Sequence, residues 1–66
     1  MTVAKVIEIN AESNVSFEDA VRQGITKASD SVHHIKGAWI KEQKVTVESG
    51  NIVKYRVDLK VTFVLD

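Results

Sequence analysis

The stretch IVKYRVDLKVTFVL, Ile52–Leu65, decides the fold. Val53, Tyr55, Val57, Leu59, Val61, Phe63 and Leu65 alternate with Lys54, Arg56, Asp58, Lys60 and Thr62, the two-residue period of a β-strand with one buried face. Just before it, ESGN over Glu48–Asn51 offers a glycine for a positive φ angle. Ala38–Glu48, AWIKEQKVTVE, therefore reads as a second strand joined to the third in an antiparallel hairpin.

Upstream, Val3–Ile9 is rich in β-branched residues and reads as a first strand, followed by a polar, turn-like segment over Asn10–Val15. Ser16 and Asp19 have the spacing in which a hydroxyl caps the first free amides of a helix. From there Phe17, Ala20, Val21, Gly24, Ile25, Ala28, Val32 and Ile35 recur at three- and four-residue steps, which predicts a helix from Phe17 to about His33. Gly24 on its apolar face suits a close approach to a strand, at about 1 kcal/mol in helix propensity. His33 and His34 fall at its C-terminal end, where the dipole favours a cation; adjacent residues diverge too far around a helix to share a metal ion.

The order is thus β-α-β-β, an α+β fold. A right-handed crossover makes the first two strands parallel in direction, and placing the third between them gives an antiparallel sheet of order 1-3-2 partly wrapped around one helix. All 66 residues form one domain in this reading. A core of this size supplies only about 3–5 kcal/mol unassisted, and the chain has no cysteine for a disulfide or thiolate metal site. A helix of that length covers about 26 Å, against about 46 Å for the third strand. Trp39, Ile40, Val45 and Val47 on an edge strand point to burial against further copies of the chain. Self-association, as a homo-oligomer, is the expectation.

Nine Lys plus Arg balance nine Asp plus Glu, and the basic residues are dispersed, which disfavours nucleic acid as a partner. No run approaches a membrane span, and the N-terminus lacks a signal-peptide pattern, so a cytoplasmic protein is expected. There is no nucleophile–base pair, phosphate loop or metal constellation, and Ser16 is better explained as a cap than as a nucleophile; the reading is not an enzyme. Trp39 suits either a subunit contact or a platform for a flat ligand. Arg56 suits either an ion pair with Asp58 or Glu42, or bidentate capture of a phosphate or carboxylate.

KVIEI, SFEDAVRQGITKASDSV, GAWIKEQ and YRVDLKVTFVLD together resemble the dodecins over nearly the whole chain. The resemblance implies a β-α-β-β subunit assembled as a hollow homododecamer that binds flavin (FMN, FAD or riboflavin) for storage. Flavin-binding members stack a tryptophan on the ring and hydrogen-bond its polar edge with a glutamine. In that register the stacking position falls on Gly37 and the glutamine position on Arg56, a cation that only donates. Trp39 lies two residues further on, projecting from the same face about 6–7 Å away. Gly37, Trp39 and Arg56 are thus the candidate ligand-binding residues. An oligomeric shell without flavin, structural or binding other small ligands or ions, is the alternative.

Overall fold

The computed structural model describes residues 2–65. Strand β1 (Val3–Ser13) is followed by helix α1 (Phe17–Ala28) and strands β2 (Ile35–Glu48) and β3 (Asn51–Leu65). The sheet order is β1-β3-β2, antiparallel at both ladders. The expected topology is therefore the observed one. Among the described residues, no helix is long and apolar enough to cross a membrane.

Helix α1 starts where the capping pattern places it. Ser16 is extended, and its hydroxyl accepts from the Asp19 N–H at 2.9 Å. The Asp19 carboxylate in turn accepts from the buried Ser13 hydroxyl and from Gln23 Nε2, tying the end of β1 to the first helical turns. The helix ends five residues before the expected His33. Ser29, Asp30 and Ser31 are poor helix formers whose short polar side chains compete for the backbone. The Ser29 hydroxyl donates to the Ile25 carbonyl, and the Asp30 and Ser31 amides close tight turns onto Lys27 and Ala28. Val32 therefore leaves the helix, and Ile35 opens β2, opposite Phe63. His34 takes a positive φ of 64° and its carbonyl accepts from the Val64 amide at 3.1 Å. The two histidines consequently belong to the entry of β2, beyond the reach of the helix dipole.

Strand β1 also runs further than expected, through Ser13, because Ala11 and Ser13 pair with Val57 and Tyr55. One face of the sheet meets the helix. There Val57, Leu59 and Val61 of β3 and Ala20 of α1 are buried, flanked by half-buried Ile7, Ile9, Ala11, Val21 and Ile25. Phe17 meets Tyr55 edge to face at 5.1 Å, fixing the start of the helix over β3. Twelve helical residues span ~18 Å, whereas the molecule is 52 Å long. Its overhanging ends leave Val3, Val47, Ile52 and Leu65 each about half exposed.

Strand β2 is irregular. Its register against β3 shifts between Ile35 and Gly37, between Ile40 and Glu42, and between Thr46 and Val47. At the second shift Lys41 is the extra residue, and both Lys41 and Glu42 face away from the helix. The hairpin closes through Ser49 (φ 51°) and Gly50 (φ 78°), two consecutive positive angles as in a type I′ turn.

The two glycines separate packing from conformation. A Cβ on Gly24 would stand 3.2 Å from Ala11 Cβ and 3.3 Å from Leu59 Cδ1, whereas one on Gly50 would meet nothing. Gly24→Leu is expected to cost about 1–3 kcal/mol through overpacking, and Gly50→Ala about 1–2 kcal/mol through its left-handed backbone alone. Urea unfolding of both variants checks this, and a Gly24→Leu protein as stable as the parent would contradict the helix-to-strand contact.

Candidate functional site

The face of the sheet turned away from α1 carries every candidate residue. Gly37 stands opposite Thr62, Trp39 opposite Lys60, and Arg56 between Glu12 of β1 and Lys44 of β2. Gly37 and Trp39 therefore share a face, as the strand pleat requires. Arg56 lies on that face too, but four residues along β3 from Lys60, so it is about 13 Å from the Trp39 position at ~3.3 Å per residue. One chain does not bring the indole and the guanidinium into contact.

Neither group is otherwise engaged. Trp39 is 51% exposed. Arg56 pairs with neither Asp58 nor Glu42, and Glu12, directly across from it, instead holds Lys54 Nζ at 3.3 Å. Lys44, its other neighbour, also lacks an ion pair among the described residues. Like charges directly opposite across a ladder repel, so Lys44 and Arg56 make a cationic end to this face. Between them and the acidic centre lies a crevice of about 130 Å³, edged by Asn10, Glu12 and Glu42. That is smaller than the roughly 300 Å³ at which ligand pockets begin. A larger groove, about 500 Å³, runs between α1 and β1 along Ile7, Ile9, Gly24 and Val32, on the opposite side from Gly37, Trp39 and Arg56.

The middle of the outer face holds charged groups that the sequence reading did not bring together. Glu8 receives Lys60 Nζ at 2.9 Å and Lys41 Nζ at 3.4 Å. Hydrogen bonding by Lys60, helped by Asp58, holds its carboxyl down to about 2. Asp58 is raised instead, first by the neighbouring Glu8 carboxylate, to which a protonated Asp58 can donate, and then by desolvation. Its Oδ1 is buried and has no hydrogen-bond partner. The parity of Glu8, Asn10 and Glu12 on β1 marks them as one face. Their partners on β3 depend on a register that the sequence does not state, and Lys41 joins them only through the bulge. Among the described residues, no three of His, Asp and Glu stand close enough to hold a metal ion.

The family model for Dodecin matches residues 3–66. Over 63 residues the chain is 40% identical to the calcium dodecin of Mycobacterium tuberculosis, covering 96% of this chain and 89% of the relative. The crystal structure of calcium dodecin from that organism, described as a calcium-chelating antigen with a novel calcium-binding site, matches with a TM-score of 0.83 at 38% identity, over 97% of this chain and 91% of the other. The dodecin from Streptomyces davaonensis matches with a TM-score of 0.93 at 29% identity, covering 98% of this chain and 96% of that one. With the family pattern matched from the first strand to the last and the β-α-β-β topology in place, this chain belongs to the dodecin family.

Proposed function

We propose that the chain is a non-enzymatic binding and storage protein, built as a closed homo-oligomer of dodecameric type. Its ligand is a flat, anionic, nucleotide-like molecule of the flavin mononucleotide class, held between subunits on the outer sheet face. The observation that carries this reading is the placement of Trp39 and Arg56 on one face, both unengaged, too far apart and too open for one chain to enclose anything. The indole offers a π-face for stacking, worth about 1–3 kcal/mol for a base-like ring. Arg56 and Lys44 offer a cationic end for a phosphate. The usual flavin-stacking position is glycine, at Gly37, and the usual amide position is Arg56, so any flavin here is held in a different register from the one the resemblance implies.

Self-association is supported by the short helix and by the exposed apolar side chains of β2 and the strand ends, Ile40, Val45, Val47, Ile52 and Leu65. In a symmetric assembly the cationic end of each subunit recurs around an axis, and neighbouring copies supply the missing walls of the crevice.

Calcium is the second reading, favoured by the 40% identity to calcium dodecin. Among the described residues of one chain, no three His, Asp or Glu side chains are gathered to hold a metal ion. Carboxylates from neighbouring copies would have to meet for a calcium site to exist.

Three measurements test these readings. Light scattering is expected to give a mass several times 7.3 kDa, and a folded monomer at micromolar concentration would end the assembly reading. FMN fluorescence is expected to be quenched on titration, with about a tenfold or greater weakening in Trp39→Ala and a selective loss of FMN over riboflavin in Arg56→Ala. Absence of quenching at tens of micromolar protein removes flavin. Calorimetric titration with calcium then decides whether the second reading takes its place.

A further inference from the structure

Asp58 sits at the centre of the outer face, on the middle strand. Its cross-strand neighbours are Asn10 on β1 and Glu42 on β2. The charged groups around it are Glu8 and Glu12 from β1, Lys41, Glu42 and Lys44 from β2, and Arg56 and Lys60 along β3 itself. Helix α1 packs on the other side of the sheet and contributes none.

The distribution of counter-ions among these groups is uneven. Both ammonium groups at the centre, Lys41 and Lys60, are bound to Glu8. Lys54 is bound to Glu12, and Arg56 has no ion pair with Asp58. Asp58 is thus left without an ion pair, beside one carboxylate, Glu8, and directly opposite another, Glu42, with only the more distant charge of Lys41 to offset them. Like charges in directly opposed positions destabilise a ladder, and a buried oxygen without a partner adds a desolvation cost. Two carboxylates cannot hydrogen-bond each other, but a carboxyl and a carboxylate can, by sharing one proton. Among the described residues no three metal-ligating side chains converge here, whereas two carboxyl groups suffice to share a proton.

We propose that Asp58, with Glu8 as its acceptor, is a proton-responsive device that takes up one proton on acidification and tightens the three strands across the centre of the outer face. The proton supplies the missing hydrogen bond and ends the repulsion between Asp58 and Glu42. It also takes the central cluster from three negative charges against two positive to an even balance.

The direction follows from linkage. Asp58 binds its proton more readily folded than unfolded, so its contribution to stability is fully present below its ordinary value of 3.8 and is lost as pH rises through its raised folded value. Glu8 works in the opposite sense: its contribution is present above 4.5 and is lost as pH falls toward about 2. Stability set by this pair is therefore greatest around the ordinary carboxylate values of 3.8 and 4.5 and declines as pH rises from there through the raised value of Asp58.

The test is urea unfolding of the ligand-free protein, with EDTA present, from about pH 8 to about pH 3, comparing the parent with Asp58→Asn and Glu8→Gln. The parent's midpoint is expected to rise as pH falls relative to that of Asp58→Asn, which cannot take up the proton. Glu8→Gln removes the neighbouring charge, so the rise is expected to shrink there as well, together with the loss of stability below about pH 4.5. Parallel midpoints for the parent and a folded Asp58→Asn overturn the proposal. If Asp58→Asn does not fold, parallel midpoints for the parent and Glu8→Gln overturn it instead.

Discussion

A three-turn helix laid across strands of eleven to fifteen residues can seal only their middle, and the rest of the molecule is arranged around that limit. The seal is close where it exists. Gly24 brings the helix backbone against Ala11 and Leu59, and Val57, Leu59 and Val61 lose nearly all their exposure beneath it. Beyond Tyr55 at one end and Phe63 at the other the cover thins, and Ile52 and Leu65 stay about half exposed. Those ends are where additional copies can contribute.

The outer face is governed by charge rather than by packing. Most of its ion pairs are substantially exposed and contribute little individually. Their arrangement matters more than their number: an aromatic end at Trp39, a cationic end at Lys44 and Arg56, and an acidic centre around Asp58 separating them. A ligand reaching from the indole to the guanidinium has to pass that centre, so the charge on Asp58 belongs to the environment of any such ligand.

Much of this was legible in the sequence because alternation and capping are local signals. The strand over Val53–Leu65, the Ser16 cap, the Gly50 turn and the close approach at Gly24 each depend on a few neighbouring residues, and each stands as read. The helix end was misjudged because Val32 and Ile35 continue the apolar spacing after Ser29, Asp30 and Ser31 have already turned the backbone; periodicity alone does not register that competition. The common face of Gly37 and Trp39 followed from the pleat. The meeting of Glu8 with Asp58, and the isolation of Arg56 beside Lys44, did not, since both depend on cross-strand register and on a bulge at Lys41.

The bulges of β2 carry one more implication. An open sheet edge with Trp39, Ile40, Val45 and Val47 along it would ordinarily invite another strand to zip on and the process to repeat without end. Interruptions at Lys36 and Lys41 break the even spacing of free amides and carbonyls that such zippering needs, and the extra residue at each is a lysine. Contacts made along this margin are thereby biased toward side chains meeting side chains, the kind of joint from which finite particles are made rather than fibrils.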